Sequence, residues 1–171
     1  MRPSFTIKIL VFFALILQSC CGFQVIYDQN KSQSYVEQLS SIKIQKKRNR
    51  SHQELKNNLY NIFNPQQIES NATTKYILSY DINESISSTF TTETGSSGRN
   101  KITLNVNYLL KEYDTKEIIS QGYVNVNDNY DISDNRYATY TTKEYVKTNL
   151  LNIVARDIRN AIVNDLTLDE N

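Results

Sequence analysis

The strictest pattern in this sequence is an alternation of apolar and polar side chains along one ten-residue stretch. Ile102, Leu104, Val106, Tyr108 and Leu110 alternate with the polar residues at positions 101, 103, 105 and 107. Successive side chains of a β-strand point to opposite faces, so this spacing predicts a strand with one packed and one wet face. The sheet is expected to be antiparallel, because strands of parallel sheets are buried on both faces and appear as continuous apolar runs.

Three shorter patterns of the same kind predict further strands. They cover residues 39–45, residues 76–82 and residues 118–126. Ile42 and Ile44 alternate with polar residues in the first, and Val124 and Val126 follow Gly122 at every second position in the third. In the second, apolar or aromatic side chains stand at positions 76, 78, 80 and 82, which is the period of a strand packed on one side.

Two helices are predicted from apolar residues at helical spacing. The first begins with the capping-box sequence Ser51–Glu54 and ends at Asn64-Pro65, because the residue before proline avoids the helical region. The second runs from about Thr142 to Leu166, with Thr141 and Glu144 in capping-box positions.

The predicted fold is therefore α+β, with a single four-stranded, mostly antiparallel sheet and the order β-α-β-β-β-α. Two amphipathic helices and a sheet with one apolar face bury each other if both helices pack on that face. The opposite face, rich in Asn, Thr and Tyr, is then left uncovered.

The amino terminus has the form of a secretory signal peptide. Arg2 and Lys8 precede the apolar run Ile9–Leu17, which is shorter than the roughly 20 residues of a membrane span. The run ends in Leu17-Gln18-Ser19-Cys20, which resembles the bacterial lipobox, where a cysteine after a small residue becomes the lipidated amino terminus. A plain signal peptide with an incidental cysteine pair is the alternative interpretation.

The two cysteines stand next to each other at this boundary. Cys20 fits the lipobox better, because Leu17 lies three residues before it and Ser19 directly before it, with Cys21 as the alternative lipid attachment site. The predicted organisation is a lipoprotein signal peptide at 1–19, a lipidated tether at 20–38 and one α+β domain at 39–171.

Residues that carry catalysis are scarce. His52 is the only histidine and is expected at the surface, and no glycine-rich nucleotide loop is present. Asp128, Asp131 and Asp134 are interpreted as turn residues and not as a calcium loop. We therefore predict no enzymatic activity, no cofactor and no metal, although a hydrolase that uses carboxylates stays open. The net charge of +1 gives no case for binding nucleic acid.

Three segments carry a resemblance to a known family. Residues 21–27 read Cys-Gly-Phe-Gln-Val-Ile-Tyr, residues 130–132 and 137–139 read Tyr-Asp-Ile and Tyr-Ala-Thr, and residues 155–159 read Ala-Arg-Asp-Ile-Arg. In this order they resemble the alphaproteobacterial form of the LPS-assembly lipoprotein LptE. Gln24 and Val25 depart from the basic residue and proline of that family's opening motif, and the family's cysteine aligns with Cys21 instead of Cys20.

The resemblance implies a role at the outer membrane, facing the periplasm. Proteins of this family plug the lumen of the β-barrel LptD, assist its assembly and are implicated in receiving lipopolysaccharide. The implied partners are an LptD-like barrel, lipopolysaccharide and the membrane that holds the lipid anchor. A polar open sheet face suits a plug, because the interior of such a barrel is polar.

Two basic residues are candidates for contacts with lipopolysaccharide or the barrel. Arg99, at the start of the third strand, matches a basic position of the family, and Lys143, at the start of the final helix, is the weaker candidate. Arg and Lys are the side chains that recognise phosphate, but ordinary solvated charges are the alternative for both. An accessory lipoprotein of another cell-envelope complex is the alternative function.

Overall fold

The alternating segments form one four-stranded sheet in the computed structural model, which describes residues 38–65, 73–91 and 97–168. The strands lie in the order β1-β2-β3-β4; β1 is parallel to β2, and the other neighbours are antiparallel. The predicted α+β class and four-stranded sheet are confirmed. The strands are β1 (Ile42–Ile44), β2 (Tyr76–Thr91), β3 (Ser97–Glu112) and β4 (Ile118–Asp131).

One long helix precedes the last three strands in the sequence, and a second long helix follows them. Helix α1 spans Arg50–Phe63 and helix α2 spans Arg136–Leu168. The predicted signal peptide, the tether up to residue 37 and the cysteines Cys20 and Cys21 lie outside the described residues.

The strand predicted at residues 39–45 is too long. Residues 38–40 are helical and only Ile42–Ile44 form a strand. The Ser41 backbone N–H and its hydroxyl both donate to the Gln38 carbonyl oxygen, at 3.1 and 2.7 Å, which closes the helical turn. Leu39 belongs to the core, with 2% of its surface exposed, so its apolar side chain reflects burial and not strand geometry.

Helix α1 begins earlier than its predicted capping box. Asn49 is the N-cap, with extended backbone angles, and its side chain accepts from the Ser51 N–H at 3.1 Å. The predicted end is confirmed, since the helix stops at Phe63, directly before Asn64-Pro65.

Helix α2 begins at Arg136, not at Thr142. The Asn135 side chain accepts from the N–H groups of Tyr137 and Ala138, at 3.0 and 3.3 Å, and thereby satisfies donors that the first turn leaves free. The Thr142 hydroxyl donates to the Ala138 carbonyl, as threonines do inside a helix.

One hydrophobic core joins the sheet and both helices. Ile102, Leu104, Val106 and Leu110 of β3 have no exposed surface, as expected from the alternation. The other fully buried side chains come from the neighbouring strand and from both helices: Leu55 and Leu59 of α1, Leu78 of β2, and Leu151, Val154, Ala155, Ile158 and Ile162 of α2.

Polar contacts tie each helix to β2. The Tyr80 hydroxyl donates to the His52 carbonyl oxygen of α1 at 2.6 Å, and Lys147 of α2 pairs with Glu84 at 2.6 Å. Tyr80 and Glu84 have even numbers on one strand, so they point to the same face of the sheet as the buried residues of β3. We call this the core face.

Candidate functional site

The opposite surface of the sheet, here called the open face, is mostly polar. It consists of the odd-numbered residues of three strands, from 77 to 87 on β2, from 101 to 111 on β3 and from 121 to 129 on β4. None of these side chains is buried, whereas the core face holds most of the hydrophobic core.

Asparagines dominate the centre of the open face. In the strand register Asn83 lies opposite Asn105, which lies opposite Asn125, and the Asn125 amide donates to the Asn105 side-chain oxygen. Tyr123 stands beside this row with 72% of its surface exposed. A primary amide offers donors and an acceptor at once, so this uncharged centre can hydrogen-bond to a polar protein surface of either type.

The predicted contact residue Arg99 lies at one end of the open face. Its Nε donates to Asp131 Oδ1 at 2.7 Å, and both side chains are more than half exposed. The Arg99 guanidinium lowers the pKa of the Asp131 carboxyl through this hydrogen bond, and the carboxylate in turn raises the pKa of Arg99. The pair lines a shallow cavity together with Thr89, Gly98, Lys101 and Asn129.

The ion pair defines what Arg99 can do chemically. An exposed pair in water is only weakly stabilising, so a phosphate or a carboxylate of a partner can compete with Asp131 for the guanidinium. Asp131 itself lies in β4, as does Asp128, so the prediction that these two aspartates belong to turns is wrong.

The second predicted contact residue, Lys143, belongs to a different element from Arg99. Because α2 begins at Arg136, Lys143 lies about two turns inside the helix and not at its start, and it is half-buried.

A buried cluster around the single histidine was missed at the sequence level. His52 is only 6% exposed, which corrects its predicted surface position, and its ring stacks on Tyr80 with centroids 5.7 Å apart. The Ile82 N–H approaches His52 Nε2 at 3.4 Å, and an Asp81 oxygen lies 3.6 Å from the same nitrogen. Burial raises the pKa of Tyr80 to about 12.

This cluster joins the first turn of α1 to the edge of β2. Asp81 also pairs with Lys47 at 2.5 Å, and the hydrogen bond from Lys47 lowers the pKa of the Asp81 carboxyl. Because the imidazole ring lies under Tyr80 and next to main-chain groups, its contacts are structural. One sequence signal pointed toward burial, since His52 lies three residues before the buried Leu55 on the same helix.

The described residues contain no group of three or more His, Cys, Asp or Glu side chains that could hold a metal ion. Within the same ranges, every helix is too short or too polar to cross a bilayer.

Comparison with solved structures finds the same fold in bacterial lipoproteins. A predicted lipoprotein from Caulobacter crescentus is 20% identical with a TM-score of 0.65, over 79% of this chain and 98% of the other. Rare lipoprotein B from Shewanella oneidensis is 12% identical with a TM-score of 0.58, over 76% of this chain and 97% of the other. A minor lipoprotein from Acinetobacter baumannii is 13% identical with a TM-score of 0.50, over 72% and 89% of the two chains.

No protein-family model and no curated protein sequence matches the chain. The chain has the fold that these three bacterial lipoproteins share. At these identities the likeness concerns the fold, and each neighbour matches over nearly its whole length.

Proposed function

We propose that this protein is an outer-membrane lipoprotein that plugs an LptD-like β-barrel and helps to assemble it for lipopolysaccharide transport. The observation that carries the proposal is the open face, which is mostly polar, has a row of asparagines at its centre and holds no buried side chain. Both helices pack on the core face in this interpretation, so the open face is available to the barrel wall.

The chemistry of a barrel lumen supports this assignment. The inner wall of such a barrel is polar, and a plug needs a folded body with hydrophilic exposed surfaces. Asparagine amides and the Tyr123 ring give such a surface hydrogen-bonding groups and contact area without a buried unpaired charge. The fold shared with rare lipoprotein B and two other lipoproteins adds to the case.

The lipobox supports a membrane anchor. We propose that Cys20 carries the lipid, with Cys21 as the alternative, and that the anchor holds the protein at the periplasmic side of the outer membrane. Mass spectrometry of the amino-terminal peptide from purified protein tests this, since a peptide that begins at Cys20 with acyl chains is expected. An unmodified peptide that begins at another residue would contradict the proposal.

The partner is tested by affinity purification from detergent-solubilised outer membranes. We expect one β-barrel protein in equimolar amount with the tagged chain. Recovery of the tagged chain with a different envelope complex would favour the accessory-lipoprotein alternative. Recovery of the tagged chain without any partner protein would contradict both functions.

The phosphate contact is a separate proposal, in which Arg99 binds a lipid A phosphate or a barrel carboxylate. Arg99→Ala is expected to weaken lipopolysaccharide binding at low salt. Asp131→Asn is the informative companion, because it removes the competing carboxylate and should strengthen binding. Unchanged binding in Arg99→Ala would eliminate this contact, and Lys143→Ala measures the weaker candidate in the same way.

A further inference from the structure

One side of the open face carries a line of amide side chains that begins at an exposed aromatic ring. Tyr123, Asn125, Asn127 and Asn129 occupy successive open-face positions of β4, and all four are exposed. Residues two apart on a strand are separated by roughly 6.6 Å, so this line, here called the β4 row, is about 20 Å long. The β4 row therefore presents hydrogen-bonding groups at a regular spacing beside one ring.

A hydrogen bond between two amides determines which groups they present. Asn125 Nδ2 donates to Asn105 Oδ1 of the neighbouring strand β3. Asn125 thereby keeps Oδ1 as an acceptor, and Asn105 keeps Nδ2 as a donor. An acceptor beside a donor on adjacent strands suits two neighbouring hydroxyl groups of a sugar, because each hydroxyl both donates and accepts a hydrogen bond.

The ring of Tyr123 suits the apolar part of a sugar. One face of a pyranose consists largely of C–H groups, and their weak positive charge is attracted to the negative face of an aromatic ring. Tyr123 is 72% exposed, and the amides of Gln121 and Asn125 flank it on the same strand. The C–H groups and the hydroxyls of one sugar unit can therefore be bound together.

The β4 row leads into the cavity that holds two cationic side chains. Asn129 lies opposite Lys101 in the strand register, and both line the cavity together with Arg99 and Asp131. Guanidinium and ammonium groups beside an amide suit a phosphate ester, which can replace the Asp131 carboxylate at Arg99. From Tyr123 to Asp131 the strand thus offers a ring, then amides, then cations, over about 26 Å.

We propose that the β4 row and this cavity bind the saccharide of lipopolysaccharide, with a phosphate at Arg99 and Lys101 and with sugar units on the amides and Tyr123. The inference rests on the proposed function and deepens it, because it assigns the sugar units to named side chains. The polar groups that suit a barrel wall also suit a saccharide. We assign the saccharide to the β4 row and the wall to the β2 side of the open face, roughly 10 Å away across two strand spacings.

The charge pattern favours a phosphorylated saccharide as the ligand. Between Asn105 and Arg99 on β3 and between Tyr123 and Asp131 on β4, the charged open-face residues all stand at the last two positions. A phosphorylated saccharide likewise carries its negative charge at the phosphates and is uncharged along its neutral sugar units. The ligand and this side of the open face are therefore complementary in the order of their groups.

Calorimetric titration of the full chain, purified in detergent, tests the ligand. The three probes are the fully deacylated saccharide of lipopolysaccharide, the same saccharide after removal of its phosphates, and inorganic phosphate. We expect the phosphorylated saccharide to bind about tenfold or more tightly than either of the other two, because amides and cations both contribute. Equal affinities for the phosphorylated saccharide and for inorganic phosphate would overturn the proposal, since the chain would then recognise phosphate alone.

Substitutions in the β4 row locate the sugar units. Tyr123→Ala and Asn127→Ala should each weaken binding of the phosphorylated saccharide about tenfold and leave the affinity for inorganic phosphate unchanged. Tyr123→Phe keeps the ring and should bind as the wild type does. The matched controls Tyr145→Ala and Asn152→Ala change exposed residues of α2 and should alter neither affinity. Unchanged saccharide binding in both β4-row variants, or an equal loss in the α2 controls, would overturn the proposal.

Failure of this inference can be told apart from failure of the proposed function. The titration uses the chain without the barrel, and recovery of the barrel requires no added saccharide. A chain that recovers its barrel and does not bind the saccharide would reject this inference alone, and saccharide binding without barrel recovery would contradict only the plug function. If Tyr123→Ala and Asn127→Ala lost the barrel and kept the saccharide, the β4 row would belong to the wall contact and the inference would be wrong.

Discussion

Tyr108 lies across Gly122 of the neighbouring strand, and this contact requires a residue without a side chain. A Cβ atom at position 122 would lie 2.9 Å from Tyr108 Oη and 3.0 Å from its Cε1. Tyr108 is only 7% exposed, so its ring cannot simply swing into solvent. Gly122→Ala is expected to destabilise the protein by about 1–3 kcal/mol, as overpacking typically does.

Chemical denaturation of a double-mutant cycle checks this explanation. With Tyr108→Leu in the background, Gly122→Ala should cost clearly less, because the flexible leucine can yield where the ring cannot. Equal costs in the two backgrounds would show that the loss comes from the strand backbone instead of the ring.

Tyr80 gives the protein a pH dependence in the alkaline range. Its pKa in the folded protein is raised by burial to about 12, above the value of about 10 for an unfolded tyrosine. Between these values the folded state keeps a proton that the unfolded state loses, so the stability contributed by the neutral hydroxyl is complete below pH 10 and falls as the pH rises toward 12.

The variant Tyr80→Phe isolates this effect from the other titrating groups. At neutral pH it should cost about 1 kcal/mol, since the hydroxyl no longer donates to the His52 carbonyl oxygen. Its unfolding free energy should then decline less steeply than that of the wild type between pH 10 and pH 12, measured by urea titration at several pH values. Parallel curves for the two proteins would be incompatible with the raised pKa.

The start of helix α2 depends on one side chain. Asn135 accepts from two N–H groups of the first turn, and replacing such a cap with alanine costs about 1 kcal/mol. Asn135→Ala should therefore lower the unfolding free energy by about this amount, whereas Asn135→Asp, which keeps the acceptor, should stay near the wild type. A loss of equal size in both variants would mean that the amide nitrogen matters and not the capping oxygen.

Element types were predictable from the sequence, and several element boundaries were not. Apolar and polar residues alternate only where one face of a strand is buried. The alternation therefore stops where both faces are exposed, although the hydrogen bonds of the strand continue. Strand β2 reaches Thr91 through a polar stretch in which even Ile86 is 43% exposed, so the prediction ended at Ile82. The aspartates of β4 were assigned to a turn for the same reason.

The sequence predicted which surface is polar, but it did not predict which side chains on that surface pair with each other. The polar positions 101, 103, 105 and 107 marked the open face in advance, because their period of two is fixed by strand geometry. The pairing of Arg99 with Asp131 depends on a strand register that joins residues 32 positions apart, and no local pattern contains that information. The burial of His52 has the same origin, since its neighbours come from β2.

At the scale of the whole molecule, the two faces of the sheet have different roles: one is packed in the core and the other is exposed. The core face holds nearly all the apolar packing, so substitutions on the open face should alter binding without altering the fold. Asn83→Lys combined with Asn107→Lys places two charges on exposed open-face positions. The unfolding free energy should stay within about 0.5 kcal/mol for each change, as is usual for surface substitutions.

Recovery of the proposed barrel should nevertheless fall by about tenfold or more, because the two lysines would bring added positive charge into the contact with the barrel wall. The matched control is Asn152→Lys with Asn160→Lys, two exposed positions on α2 that add the same charge away from the open face. Quantitative co-purification from solubilised membranes compares the two variants. Equal recovery of the barrel by both would remove the open face from the contact, and loss of recovery only in the α2 variant would place the contact on the helices.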